Sequence, residues 1–182
     1  YGDGNVKVYY NQGTRIAPDF SGSPYDSTLV TIPTNNAVPF FVDWDNDGKK
    51  DLLVGGADGN VYLFLNQRLD ASPDYSGAPS NVVAAVSSYA VPCAVQDWNG
   101  DGKKDLVVGD GAGYVNLFLN EGTDVAPVFA TSTRVQTGAG VEINAGAMAH
   151  PVVADWNHDQ RKDLVLGRAD GRVSLYTVPG VP

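Results

Sequence analysis

The stretch Asp43-Trp44-Asp45-Asn46-Asp47-Gly48-Lys49-Lys50-Asp51 places four carboxylates within nine residues and leads into an apolar run, residues 52–54. The same template returns at residues 97–105 and 155–163, each time followed by another apolar run. We call these three segments loop one, loop two and loop three. A motif that recurs three times at a regular interval indicates a repeat protein.

Two further landmarks recur with the loops. The loops begin at Asp43, Asp97 and Asp155, which gives repeats of 54 and 58 residues. A Gly turn with an alternating apolar strand follows each loop and also occurs once before loop one. The first three of these four strands are followed by a Pro-containing corner with an aromatic residue. The apolar strands are predicted at residues 4–11, 59–66, 113–120 and 171–177, and the corners at residues 16–20, 71–75 and 125–129. Glycine and proline at these places are typical of tight turns between strands.

One repeat therefore predicts four strands: an inner strand before the loop, a second after it, a third after the Gly turn and a looser fourth. The inner strands are expected at residues 40–42, 95–96 and 152–154. No segment has a 3.6-residue apolar period, so we expect essentially no helix. Short strands at this spacing favour an all-β fold, a β-propeller of four-stranded antiparallel blades.

The strand count gives about three and a half blades in one segment, residues 1–182. The repeat units are approximately 1–36 (partial), 37–88, 89–146 and 147–182 (partial). Closed propellers need about 4 to 8 blades. We therefore expect a second copy of the chain, or a longer parent chain, to complete the ring.

The loops have the chemistry of a calcium site. Ca²⁺ takes about 6–8 oxygen ligands, which a short loop supplies when carboxylates recur at every second position and glycine allows a sharp turn. In loop one, Asp43, Asp45 and Asp47 are expected to point inward, Lys49 to offer its backbone carbonyl with its side chain turned away, and Asp51 to close the site. The spacing is that of the first half of an EF-hand loop, but strands flank it here instead of helices.

With its Asp-Trp opening and its apolar exit ending in Gly, the motif resembles the FG-GAP, or VCBS, repeat of integrin α-subunit propellers and of many secreted propellers. This resemblance implies a β-propeller in which calcium ions in hairpin loops hold the shape of the blades, and it carries over no catalytic residue. The implied metal ligands are Asp43, Asp45, Asp47, Lys49 and Asp51 in loop one; Asp97, Asn99, Asp101, Lys103 and Asp105 in loop two; and Asp155, Asn157, Asp159, Arg161 and Asp163 in loop three.

Loop three departs from the pattern at Gln160, which replaces the glycine found at Gly48 and Gly102. A residue with a side chain is disfavoured at positive φ. We therefore expect up to three Ca²⁺ ions, bound most tightly in loop one with its four carboxylates and most weakly in loop three.

The three tryptophans, Trp44, Trp98 and Trp156, all take the second loop position. They could form a sugar-stacking platform, but a large aromatic repeated in register is better suited to a wedge between neighbouring blades. The two histidines, His150 and His158, have no metal-ligand partner at a suitable spacing, so we expect surface or packing roles and no zinc site.

Net charge and apolar run length limit the kinds of partner that the chain is expected to bind. A net charge of −9 argues against nucleic acid, and no apolar run is long enough for membrane insertion. The single cysteine, Cys93, excludes an internal disulfide and is expected to be a buried small residue. Calcium sites of this type in extracellular modules work at roughly 0.1–1 mM, so we expect an extracellular or cell-surface location.

The sequence leaves three functions open. The first is a non-enzymatic adhesion or lectin-like module that binds a glycan or a protein, with those tyrosines that face outward as contact residues. Aromatic residues at strand positions, among them Tyr9, Phe64, Phe118 and Tyr176, are expected in the core. The second is a propeller segment of a secreted polysaccharide-degrading enzyme, although no carboxylate pair outside the loops stands out for acid-base work. The third is a self-assembling structural half-propeller, which the broken blade count supports.

Overall fold

A computed structural model describes residues 3–21, 28–70, 72–77, 80–95 and 97–177, and within these ranges the chain forms thirteen strands and no helix. The first sheet contains β1 (Asn5–Lys7) and β2 (Thr28–Thr31). The second contains β3 (Val38–Val42), β4 (Asp51–Gly55), β5 (Asn60–Phe64) and β6 (Ser80–Ala85). The third contains β7 (Val91–Val95), β8 (Asp105–Gly109), β9 (Val115–Phe118) and β10 (Ser132–Arg134). The fourth contains β11 (His150–Ala154), β12 (Asp163–Gly167) and β13 (Val173–Tyr176).

Every sheet is antiparallel, and its strands are paired in chain order. The second and third sheets are therefore complete four-stranded blades, whereas the first has two strands and the fourth has three. This confirms the predicted all-β fold with propeller-type blades. The described part of the chain contains no helix that is long and apolar enough to cross a membrane.

The sheets stack face to face, and the interior strands β4 and β8 are buried on both sides. In β4, Leu53 packs into the cluster shared with the third sheet, whereas Leu52 and Val54 pack towards the first sheet. In β8, Leu106 faces the second sheet and Val107 faces the fourth. The continuous apolar runs after the loops thus reflect strands covered on both faces, because successive side chains point to opposite sides of a strand.

The fourth sheet is covered on one face only. Leu164 and Leu166 of β12 pack towards the third sheet and are buried. On the opposite face Val173 is 71% exposed and Leu175 is 44% exposed. Among the described residues no further sheet follows, so this face is apolar but open to solvent.

Glycine after the second strand of each complete blade allows a close approach between sheets. A Cβ built on Gly55 would lie 2.0 Å from the carbonyl oxygen of Ala90, and one on Gly109 would lie 1.9 Å from that of Ala149. The Gly turns predicted before the third strands are also present, with φ values between +69° and +92° at Gly4, Gly59, Gly113 and Gly171.

Two details of the strands differ from what the sequence predicts. The inner strands β3, β7 and β11 start earlier than predicted, because they pair along the whole length of the strand that follows each loop. Tyr9, expected in the core with Phe64 and Phe118, is 51% exposed, whereas the two phenylalanines are buried. Gln96 and the side chain of Cys93 lie outside the described residues.

Candidate metal-binding loops

The three loops share one network in which side-chain oxygens accept hydrogen bonds from backbone N–H groups two to five residues further on. This is the local pattern by which Asp and Asn stabilise turns. The first carboxylate accepts from the N–H at the sixth position, the third side chain from the fifth, and the fifth from the seventh. In loop one these bonds measure 3.1, 3.1 and 2.9 Å, from Gly48 to Asp43, from Asp47 to Asp45 and from Lys49 to Asp47.

The ninth residue of each loop ties the loop to the rest of the blade. Asp51 is fully buried, and its two oxygens accept the backbone N–H groups of Trp44 at 2.7 Å and of Asn66 at 2.8 Å. Asp105 does the same for Trp98 and Asn120, at 2.6 and 2.9 Å. The final carboxylate therefore joins the loop to the end of the third strand by hydrogen bonds, and it is also a predicted metal ligand.

Loop one brings three carboxylates together. Oxygen atoms of Asp43, Asp45 and Asp51 lie within 4.8 Å of one another, the only such group of acidic, histidine or cysteine side chains among the described residues. Burial raises the pKa of Asp51, and the charge of Asp45 contributes to the rise. Oδ1 of Asp43 is buried and has no hydrogen-bond partner among the described residues. Three convergent carboxylates with one buried oxygen that has no partner in the described chain form a group of acceptors whose burial a cation would offset.

Asp47, the remaining predicted carboxylate ligand of loop one, does not join this group. Its Oδ2 pairs with the ammonium group of Lys49, whose side chain was expected to point away. That hydrogen bond holds the pKa of Asp47 below its usual range. The Lys49 ammonium group pairs with the nearest carboxylate, so one oxygen of Asp47 is already occupied.

Loop two has fewer free acceptor atoms. Asn99 replaces the carboxylate at the third loop position, and its amide group donates to Asp101 at 3.2 Å. Both oxygens of Asp97 accept backbone N–H groups, Oδ1 from Gly100 and Asp101 and Oδ2 from Gly102.

Loop three follows loop two in its hydrogen bonds. Asp155 accepts from the N–H groups of Asp159 and Gln160, and Asn157 bonds to Asp159. Asp163 is buried, whereas Asp155 and Asn157 are exposed. Arg161, like Lys103 in loop two, stands at the seventh position, where its backbone carbonyl is the predicted ligand.

The backbone of loop three also follows the other two despite Gln160. Gln160 adopts φ +66°, and its N–H bonds to Asp155 at 3.0 Å, close to the 3.1 Å of the matching bond in loop one. The expected conflict is thus absorbed as backbone strain, which costs about 1 kcal/mol or more for a residue with a side chain. A second positive φ occurs at the fourth loop position, at Asn46, Gly100 and His158, and was not predicted from the sequence. Asparagine and glycine at this position are the signal for it.

The tryptophans confirm the predicted wedge in two of three cases. Trp44 is fully buried between the second and third sheets, edge-on to Phe129 with ring centroids 6.2 Å apart. Trp98 packs against the cluster between the third and fourth sheets. Trp156 is 62% exposed, because the described chain places no sheet over it.

A polar contact between loop one and the third sheet was not predicted from the sequence. Lys104 is 6% exposed, and its ammonium group donates to Oδ1 of Asn46 and lies 3.4 Å from Asp124. Asn46 donates to the same Asp124 at 2.9 Å. This cluster, which we call the cross-blade latch, joins a loop of one blade to the corner of the next.

Stacked antiparallel sheets, in which an acidic hairpin loop joins the inner strand to the second strand, define a propeller-type repeat module. Residues 97–177 match the family model described as an FG-GAP-like repeat. This part of the chain is therefore an FG-GAP-like repeat segment, and the resemblance predicted from the loop motif is confirmed. A search of curated proteins finds no match to the chain.

Proposed function

We propose that the chain is a calcium-stabilised, extracellular binding module without catalytic activity, whose ligand is a glycan or a protein. The carrying observation is in loop one, where three carboxylates converge and one of their oxygens, Oδ1 of Asp43, is buried without a partner among the described residues. Oxygen-only donors in a hairpin loop suit a hard cation with many ligands.

The residues of loop one fit calcium in number and kind. Asp43, Asp45, Asp47 and Asp51 supply carboxylate oxygens, and Lys49 supplies its backbone carbonyl; water completes a coordination of about 6–8. Bound calcium neutralises the converging carboxylates. For Asp47 to join, its oxygen leaves the ammonium group of Lys49, an exposed contact that solvent already weakens.

Loops two and three carry the same proposal in weaker form. Asn99 and Asn157 supply one neutral oxygen each where loop one has Asp45, and Asp97 already accepts three backbone N–H groups. Loop three adds the strain at Gln160. Because affinity in such loops follows ligand charge and rigidity, loop one binds tightest and loop three weakest.

The role of the ion follows from what the loop holds. Each loop joins the inner strand to the second strand, and in loops one and two the ninth residue also reaches the end of the third strand. Calcium therefore fixes three of the four strands of a blade in register. Sites of this kind are filled at roughly 0.1–1 mM calcium, a level found outside cells, which supports the proposed location.

Support for a binding role comes from exposed aromatic rings near the first sheet. Tyr9, Tyr10 and Phe20 are 51%, 44% and 56% exposed. Aromatic faces contact sugar C–H groups and protein surfaces alike, and such residues dominate many binding interfaces. Phe20 ends the corner at residues 16–20, and the hydrogen bond from the N–H of Ser21 to Oδ1 of Asp19 fixes the backbone around it.

Two measurements test these parts separately. Thermal unfolding in calcium and in EDTA should show stabilisation by calcium, about 2.7 kcal/mol per site at 100-fold excess over Kd; identical curves would refute the calcium part.

A glycan array and a cell-surface protein array should give hits that Phe20→Ala weakens and Leu69→Ala, a change at another exposed apolar residue, does not. Two blank arrays would refute the binding part.

A further inference from the structure

Loop one uses alternate residues for two different contacts. Oxygen atoms of Asp43 and Asp45 belong to the cluster of converging carboxylates. Trp44 and Asn46 contact the third blade instead: Trp44 lies edge-on to Phe129 with ring centroids 6.2 Å apart, and Asn46 takes part in the cross-blade latch. The residues that would hold the ion and the residues that hold the next blade thus alternate along one stretch of four residues.

The latch also reaches loop two. Lys104, which supplies its ammonium group, is the eighth residue of loop two and lies between Lys103 and Asp105, two predicted ligands of that loop. Asn46 likewise lies between two predicted ligands of loop one. The hydrogen bond from Lys104 to Asn46 therefore joins the two loops directly, across 58 residues of sequence.

The hydrogen bonds of the latch link the position of Asn46 to the backbone of loop two. Oδ1 of Asn46 accepts from the ammonium group of Lys104, and Nδ2 of Asn46 donates to Oδ2 of Asp124 at 2.9 Å. Oδ1 of Asp124 accepts the backbone N–H of Lys104 at 2.8 Å. The side chains of Lys104 and Asp124 are only 8% and 15% exposed, so water replaces a lost partner poorly.

Asn46 depends on the fold of loop one for its place in the latch. The residue is exposed, and its φ of +64° lies in the left-handed region. Three carboxylates that converge on one point repel one another unless a cation lies between them. A cation in loop one therefore holds the loop backbone in the conformation that presents Asn46 to Lys104.

On the other side of the latch, Lys104 is adjacent to the residue that closes loop two. Asp105 accepts the backbone N–H groups of Trp98 at 2.6 Å and of Asn120 at 2.9 Å. A displacement of the Lys104 backbone is thus carried to the bonds that hold loop two together. The latch pairs one ammonium group with one carboxylate, so it places no net charge between the two loops.

We propose that the cross-blade latch couples the cation sites of loops one and two, so that calcium bound in one loop raises the affinity of the other. This inference rests on the proposed function of the loops as calcium sites. An ion in either loop fixes one half of the latch, and the second ion then meets a loop that has less conformational freedom to lose. Such coupling is reciprocal, and an effect of about fivefold in Kd lies at the lower end of its usual range.

A calcium titration followed by NMR at the amides of Gly48 and Gly102 tests the coupling. Each of these N–H groups bonds to the first carboxylate of its own loop, so each reports on one site. Asp101→Asn, which weakens loop two, should raise the Kd of loop one about fivefold. In an Asn46→Gly background the latch is broken, and Asp101→Asn should leave the Kd of loop one unchanged. Glycine suits the positive φ at this position, as Gly100 shows in loop two.

His158→Gly is the matched control, because it removes a side chain at the same position of loop three and leaves the latch intact. In this background Asp101→Asn should still raise the Kd of loop one about fivefold. If loop one ignored Asp101→Asn in the wild-type background, or responded equally in the Asn46→Gly background, the coupling would be wrong and the proposed function would stand. If neither glycine amide responded to calcium, the proposed function would fail and the coupling with it.

Hydrogen exchange gives a second readout that needs no binding constant. In a chain with Asp101→Asn and Asp159→Asn, only loop one keeps its full set of carboxylates. Calcium should then slow exchange of the Trp98 N–H, which bonds to Asp105 in loop two, through the latch alone. The Trp156 N–H, bonded to Asp163 at 2.9 Å, is the reference and should not change. Equal slowing at both amides, or none at Trp98, would overturn the proposal.

Discussion

The Asp51 carboxylate accepts the backbone N–H of Asn66 at 2.8 Å, and thereby joins the end of loop one to the end of β5 across 15 residues of sequence. Its second oxygen holds the N–H of Trp44. Asp105 makes the same pair of bonds in the next blade. A residue expected only to close a metal site is thus also part of the blade itself, and the two roles separate by mutation.

Asp51→Asn should destabilise the protein by about 1–3 kcal/mol even in EDTA. The amide presents a donor to one of the two backbone N–H groups that Asp51 satisfies, which leaves a buried N–H without an acceptor. Asp47→Asn should leave stability in EDTA unchanged and reduce only the stabilisation by calcium. Urea unfolding of both variants, with and without calcium, measures the difference. If the two variants behaved alike in EDTA, Asp51 would have no structural role of its own.

Lys104→Met should cost about 3 kcal/mol, because it leaves Asp124 as a largely buried carboxylate without its cation. Lys50→Met is the matched control: Lys50 holds the equivalent position, but its side chain is 65% exposed in the pair with Asp70, so stability should change little. Chemical denaturation compares the two. Equal losses would contradict the assignment of Lys104 to a buried latch between blades.

Gly109→Ala should destabilise the protein by at least about 1–3 kcal/mol, since the new Cβ would stand 1.9 Å from the carbonyl oxygen of Ala149 and would force the third and fourth sheets apart. Gly138→Ala, where a Cβ meets no atom within 4 Å, should be neutral or slightly stabilising. Thermal unfolding of the pair tests this. A neutral Gly109→Ala would show that the sheets are not in this close contact.

Burial raises the pKa of Tyr75 to about 12 from 10.0, with the charges of Asp51 and Asp70 adding to the rise. The unfolded chain therefore loses this proton at lower pH than the folded one. The contribution of Tyr75 is fully present below pH 10 and falls by about 1.4 kcal/mol per pH unit between pH 10 and 12.

Tyr75→Phe removes this titration and also the hydrogen bond from the Tyr75 hydroxyl to the Lys50 carbonyl. The variant should be less stable than wild type at neutral pH by about 1 kcal/mol. Its unfolding free energy should decline less between pH 10 and 12. Parallel pH profiles for the two proteins would show that Tyr75 ionises equally in the folded and unfolded states.

Much of the fold could be predicted because the same pattern of loop, apolar strand and Gly turn recurs in each repeat. The apolar runs after Asp51, Asp105 and Asp163 became β4, β8 and β12, and the Gly turns became hairpins, since these depend on local backbone preference and on burial of both strand faces. The prediction of Tyr9 as a core residue was wrong, since Tyr9 is 51% exposed. Its burial depends on a neighbouring sheet, and the periodic pattern within one strand does not indicate whether such a sheet is present.

The candidate site divides in the same way. Spacing alone placed Asp43, Asp45 and Asp51 together, because every second residue of such a loop turns to the same side. It did not place Lys49 against Asp47, since a flexible ammonium group follows the nearest charge. Nor did it reveal the contact between Lys104 and Asn46, which are 58 residues apart and meet only when two blades stack.

Calcium titration by isothermal calorimetry, on wild type and on Asp43→Asn, tests the central claim that the loops are calcium sites graded by their carboxylates. The wild type should bind calcium with its tightest site in the range of roughly 10⁻⁴–10⁻³ M. Asp43→Asn should abolish that site and spare the weaker ones. No heat of binding in the wild type, or three sites of equal affinity, would contradict the account.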